Sequence, residues 1–353
     1  MNTKTAQRKR DHLTLCATDD VAFKSKTTLL EEIDFVHRAA PEIGIKDIDT
    51  SLVFAEKKLS SPIWIGSMTG GGKGSAELNR DMAKVAGELG IGLCLGSIRP
   101  MLEDPALIKD FIVSDVIGNS AILANIGATE IVRRGPEPIL KAVESLKTDG
   151  LIIHLNPAME LIQPGGDTDF KGVMNAISQL VKQRGKVPII IKETGCGLSW
   201  QDGEALKEAG VTTVETGAAG GTSWVGVETL RADSQKARIG KTLWDWGIPT
   251  AVSTAWMVDL GFEVIASGGI RSGLDVARAL ALGAKMTAVA APLIKARQDK
   301  GIDGIREYLD DMIKVLKTVM LILGARKCTD LLHVPRVVGP TLTRWIESGW
   351  QMR

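Results

Sequence analysis

The chain has 353 residues, 44% hydrophobic and 24% charged, with 43 Lys+Arg against 42 Asp+Glu. So even a balance excludes a globally basic binder of nucleic acid or anionic membranes, and any anion site must be a local cluster. Cys16, Cys94, Cys196 and Cys328 show neither CxxC nor zinc spacing and read as reduced thiols, while no apolar run reaches the ~18–20 residues that cross a bilayer.

The basic N-terminal stretch MNTKTAQRKRDHL leads into no apolar segment of the secretory kind, so a soluble cytoplasmic protein is expected. Residues 1–60 read as an N-terminal extension with an amphipathic stretch at Thr28–Phe35 and a short strand pair at Ser51–Phe54 and Lys57–Leu59. From Pro62 a repeating unit sets in. Short apolar runs occur at 62–67, 91–96, 121–127, 151–156, 188–193, 212–217, 263–269 and 285–291. Helix-patterned segments lie between them, at Ser75–Leu89, Pro136–Leu146, Lys171–Gln183, Gly203–Glu208 and Leu274–Leu282. Strands alternating with helices predict βαβ units, and continuous rather than alternating apolar runs predict parallel strands covered on both faces.

Eight such units match a (β/α)8 TIM barrel within an α/β fold. A doubly wound open sheet would confine its polar residues to one crevice. Here every run ends in something unusual: Met68-Thr69-Gly70, Ser97-Ile98-Arg99, Asn125, His154 and Asn156, Lys192-Glu193, Glu215-Thr216-Gly217, Gly268-Gly269 and Ala290-Ala291. That distribution suits a barrel mouth. The expected organisation is an extension at 1–60 and a barrel at 61–353, closed by a long helix at roughly Ile302–Leu323 and a tail.

Two glycine-rich turns, GAAGGTSW (217–224) and SGGIRSGLDV (267–276), fall where barrels often bind phosphate, in the loops after the last strands. Glycine permits the close backbone approach that an anion nest needs, and Arg271 adds a charged donor. Met68-Thr69-Gly70 leaves room for a flat ligand; Asn125 and Lys192 can reach the same region. A lysine ending an apolar strand needs a partner, and it either reaches solvent, pairs with Glu193, or faces an electron-rich ring. Phosphate at one end with amide and lysine donors in the middle points to FMN.

The stretch HLNPAMELIQPGGD (154–167), with RKRDH (8–12), FVHRAAPE (35–42), MTGG (68–71), NIGA (125–128), KETGCGLS (192–199), DWGIPTA (245–251) and the two glycine turns, resembles the type 2, FMN-dependent isopentenyl-diphosphate delta-isomerases over nearly the whole chain. The resemblance implies that 1–60 carries a substrate-binding arm and that the barrel at 61–353 binds FMN. It implies an FMN site of Met68, Thr69, Gly70, Ser97, Asn125, Lys192, Thr222, Gly268, Gly269, Arg271, Ala290 and Ala291. It implies a substrate diphosphate held by Arg8, Lys9, Arg99, His154, Asn156 and Ser199, walled by His12 and Trp224, with Glu160 holding Mg2+. Reduced FMN would act as acid and base in a 1,3-allylic proton shift between isopentenyl and dimethylallyl diphosphate, and NAD(P)H would reduce it. Members of the family are tetramers or octamers, so a homo-oligomer is implied; no nucleic-acid partner is.

The chain departs from the family pattern where chemistry is expected. The family's glutamine beside the reacting carbons is Met159, and a thioether relays no proton. PEGD becomes Pro164-Gly165-Gly166-Asp167, GSQR becomes Gly96-Ser97-Ile98-Arg99, and ARP becomes Ala290-Ala291-Pro292. Two alternatives accompany the isomerase reading: a divergent member that uses reduced FMN to rearrange, cyclise or reduce a bulkier prenyl substrate, and an oxidoreductase of the 2-hydroxy-acid oxidase kind. The latter predicts a histidine near the seventh strand, where Glu215-Thr216-Gly217 stands instead.

Overall fold

Twelve strands organise the described residues, which in this computed structural model are 11–12, 14–16, 20–68 and 74–350. The chain enters through β1 (Ile33–Phe35) and a hairpin of β2 (Leu52–Phe54) and β3 (Lys57–Leu59). Eight parallel strands follow: β4 (Ile63–Ile65), β5 (Gly92–Ser97), β6 (Ile122–Gly127), β7 (Gly150–Leu155), β8 (Ile189–Glu193), β9 (Thr213–Glu215), β10 (Glu263–Ser267) and β11 (Met286–Val289). They pair in sequence order and β11 pairs back to β4, so the sheet closes into the expected barrel. β12 (Arg336–Val338) lies outside it.

Because side chains alternate across a strand, each apolar run supplies two cores. Ile63, Ile65, Leu151, Ile153, Ile189 and Ile191 face the surrounding helices. Trp64, Leu123, Ile152, Ile190, Ile265 and Met286 fill the barrel, and Phe54 and Leu59 of the hairpin plug its lower end. Phe54 meets Trp64 edge-on at 4.9 Å, and Lys57 anchors the hairpin on Asp149 at 2.8 Å. With the lower barrel packed solid, polar groups have room only at the upper, C-terminal ends of the strands.

The amphipathic stretch Thr28–Phe35 keeps Glu31 and Asp34 exposed; Leu30–Glu32 is one 3-10 turn, and β1 pairs antiparallel with β12, Ile33 opposite Val338. Its buried Leu30 and Ile33 serve a strand rather than a helix face. The helix expected at 302–323 belongs to the span Ala291–Leu323, broken at Lys300 and at Gly301, whose φ of 64° leaves the helical region. Among the described residues no helix is long and apolar enough to cross a membrane.

Candidate active site

Above the apolar layer, successive strands of the barrel present Asn125, His154, Lys192, Glu215 and Ser267. Strand register sets Lys192 beside His154 on one side and beside Glu215 on the other. Asn125 Nδ2 donates to Ser67 Oγ at 2.9 Å, and Asn125 Oδ1 lies 2.7 Å from His154 Nδ1. Ser267 Oγ donates to Glu215 Oε1 at 2.8 Å, and Lys192 Nζ stands 3.8 Å from the same oxygen. Lys192 also donates to the main-chain oxygen of Glu193. It does not pair with the Glu193 side chain, which faces the other side of the sheet and accepts from the N–H groups of Cys196 and Gly197. Burial pushes the Glu193 carboxyl up to about 8, against those N–H donors and the charge of Lys192.

A cavity of about 840 Å³ opens over this layer on the side of β9, β10, β11 and β4. Of the residues expected at the flavin, Met68, Lys192, Thr222, Gly268, Gly269, Arg271, Ala290 and Ala291 line it. The two glycine turns follow the sixth and seventh barrel strands, one strand earlier than the usual phosphate sector, and Glu215 is on the sixth. They pack backbone to backbone: at Gly268, where φ is 102°, a Cβ would lie 2.0 Å from the Ala218 oxygen. The second turn feeds the helix Gly273–Ala281, capped by Ser272 and Asp275, beside Arg271. Small lining residues make a slot that suits a flat ring, Lys192 offers a donor on its floor, and Arg271 with the helix N-terminus suits a phosphate. The residues therefore fit FMN.

A second cavity of about 1000 Å³ adjoins it on the side of β5, β6 and β7. Ser97, Arg99, Asn125, His154, Asn156, Met159 and Glu160 line it, while His12, Ser67, Met68, Lys192 and Trp224 line both cavities. Ser97 and Asn125 thus line the second cavity rather than the flavin slot. β7 ends at Leu155, and Asn156 precedes the helix Pro157–Ile162, yet it and His154 still face one space. Glu160 accepts from Asn156 Nδ2 at 3.0 Å, from Gln163 Nε2 at 2.9 Å and from the Asp167 N–H at 2.9 Å. Met159 is buried beside it, its sulfur 3.8 Å from Asn156 Nδ2.

Arg99 lies 3.4 Å from Glu103 and 3.9 Å from the buried Glu130, which also takes Arg133 and Arg134 at 2.8 Å each. Asp167 accepts from Thr129 at 2.7 Å and pairs with Arg133. His12 is 2.6 Å from Glu228, a fully buried carboxylate that also holds Arg231, and meets Trp224 edge-on at 5.3 Å. Arg8, Lys9, Thr69 and Gly70 lie outside the described residues. Ser199 lines neither cavity; it caps the helix Trp200–Glu208 reciprocally with Asp202.

Among the described residues no group of three or more His, Cys, Asp or Glu could hold a metal. A single carboxylate such as Glu160 still fits Mg2+ carried in on phosphate oxygens, which is how that ion commonly binds. Sequence reasoning missed Ser67, Glu130, Gln163 and Glu228 as site residues, and set Glu215 at the barrel mouth without a role. Glu228, four residues past Trp224 and the one charged residue in the stretch WVGVETL, was the most visible of them.

Residues 174–334 match the family described as FMN-dependent dehydrogenase. An isopentenyl-diphosphate delta-isomerase of Methanothermobacter thermautotrophicus is 42% identical, over 97% of this chain and 96% of its own. Proteins of the same name from Archaeoglobus fulgidus (38%, over 97% of this chain and 99% of its own) and Methanosarcina mazei (36%, over 98% and 95%) are also similar. Solved structures of a flavocytochrome b2 variant (TM-score 0.67, 17% identity, 96% of this chain and 84% of that one) and a mandelate oxidase variant with an FMN adduct (TM-score 0.63, 15% identity, 95% and 100%) share the fold. With full-length identity of this order to several named relatives, the chain belongs to the isopentenyl-diphosphate delta-isomerase family.

Proposed function

We propose that the protein is an FMN-dependent enzyme that interconverts isopentenyl and dimethylallyl diphosphate. The observation that carries this reading is the meeting of two cavities along one wall of His12, Ser67, Met68, Lys192 and Trp224. One suits a flat ring with a phosphate, the other a second, strongly anionic ligand. FMN, once reduced by NAD(P)H, supplies acid–base chemistry at the ring edge.

The rest falls to the chain. Arg99, His154 and Asn156, joined by Arg8 and Lys9 of the N-terminal extension, hold the diphosphate, and Glu160 holds its Mg2+. Protonating an alkene develops positive charge at a tertiary carbon. Trp224 and Met68 line both cavities, and an indole beside the reacting carbon would stabilise such a cation. Glu228 fixes His12 against Trp224, so the wall that excludes water is held by a buried carboxylate. In this reading residues 1–60 carry the substrate-binding arm of an FMN-binding barrel at 61–353, and the enzyme is a cytoplasmic homo-oligomer.

One observation favours a second reading. Met159 puts a soft apolar surface, 8% exposed, where the family places an amide, which suits a bulkier prenyl chain rearranged by the same cofactor.

Purified protein should be yellow and should bleach with NADPH. Reduced enzyme with Mg2+ and isopentenyl diphosphate in D2O should incorporate deuterium and form the dimethylallyl isomer. A colourless protein that takes up no FMN overturns the whole reading. FMN uptake without deuterium incorporation, together with turnover of a longer prenyl diphosphate, replaces the first substrate by the second.

A further inference from the structure

Glu215 is a buried carboxylate that the mechanism above does not use. It is 1% exposed and lines the flavin cavity. One oxygen accepts from Ser267, and Oε2 meets no donor among the described residues. Burying a carboxylate with an oxygen left unmatched is unfavourable, so its place calls for a compensating group. Lys192 supplies opposite charge to the carboxylate as a whole: it neighbours Glu215 in strand register, with 3.8 Å between its nitrogen and Oε1, the oxygen that also accepts from Ser267. Glu193 faces away from the barrel and takes no part. The Cys94 thiol nearby is held well above its usual range, by burial first and the Glu215 charge second, and so adds no charge of its own.

We propose that Glu215 is a positioning residue that balances Lys192, setting how strongly the lysine draws electron density from the bound flavin and hence which protonation state the reduced cofactor keeps. The inference rests on the FMN reading of this cavity. An unbalanced lysine beside the ring would favour the anionic reduced form, which has surrendered a ring proton. A lysine–carboxylate pair leaves the floor close to neutral, and the reduced ring keeps that proton for acid–base work. Ser267 holds Oε1, the same oxygen that faces Lys192, so the balance depends on a buried, geometrically defined contact.

The test is an anaerobic redox titration and a spectrophotometric pH titration of the reduced flavin in the FMN-loaded protein. Glu215→Gln should favour reduced over oxidised flavin by about tenfold, which is about 30 mV upward for a two-electron couple. It should also lower the pH of ring deprotonation by about one unit, an equal tenfold. Glu215→Asp should stay within about twofold of the parent, and Ser267→Ala should move both readouts about threefold in the direction of Gln. The Glu215→Gln shift should vanish in a Lys192→Met background, which a merely structural role would not produce. If Glu215→Gln fails to fold, Ser267→Ala carries the test, and no shift there overturns the proposal. Flavin bound with both readouts unmoved, or a shift that persists without Lys192, also overturns it and leaves the FMN reading standing. Failure of the parent protein to bind FMN overturns both.

Discussion

The flavin cavity is walled by backbone and small residues, with Gly217, Gly268 and Gly269 admitting no side chain, whereas the adjoining cavity is walled by charged side chains held by other side chains. In the first, two glycine turns pack on each other, and their shape follows from where the chain can go. In the second, Glu130 gathers arginines, Glu160 gathers three donors, and Glu228 steadies His12. A backbone cradle tolerates little substitution but fits a ligand of constant shape. A side-chain receptor can be altered piece by piece, and Met159 departs from the family pattern here, while Ala291 departs from it in the flavin cavity.

The sharpest way to break this contrast is Gly268→Val. With φ at 102° and a Cβ position 2.0 Å from the Ala218 oxygen, the variant should lose flavin uptake and at least ~3 kcal/mol of stability, read from bound absorbance and the urea midpoint. Normal flavin content would show that the turns do not form the cradle. Next comes Glu160→Gln, which should keep the flavin but cut turnover about 10- to 100-fold and raise the Mg2+ needed for half-maximal rate. Equal loss of flavin would show that the two cavities are one unit.

The smallest effect concerns the partition between them. Thr194 lines one cavity and Gly195 the other, and Glu193 holds this loop from behind. Its carboxyl, raised from 4.5 to about 8, keeps a proton in the folded protein that the unfolded chain releases above about 4.5. Unfolding therefore releases a proton between those values, and stability falls as pH rises from about 4.5 to about 8, by at most ~1.4 kcal/mol per unit. Thermal melts across that range should show the decline, and Glu193→Gln should flatten it. An unchanged slope would assign the pH dependence to other groups.

How much of this could be read from the sequence differs by region in the same way. The eight strands stand within two residues or so of the apolar runs, because a strand buried on both faces leaves an unbroken hydrophobic signal. The glycine turns were visible for the reason they work. The side-chain receptor was legible only through resemblance, and its supports were not. Finding Glu215 rather than Glu193 as the partner of Lys192 requires knowing which face each strand turns inward, and of the alternatives the sequence left open, pairing with the Glu193 side chain is the one the structure removes. Ser199 shows the converse, since a serine before a helix satisfies a cap and a phosphate site equally well in sequence. Thr28–Phe35 was legible as amphipathic but not as ending in a strand, because the partner of Ile33–Phe35 lies at the far end of the chain.

That last pairing bears on biosynthesis. β1 has one strand partner, β12, about 300 residues later in the chain. A ribosome can release every barrel strand before that partner emerges, so β1 gains its strand partner only when synthesis is nearly complete, whereas Val21–Phe23, nearer His12, bridge to Gly221–Ser223. A chain cut short before Arg336 would keep all eight barrel strands and lose the clasp that fastens its beginning to its end.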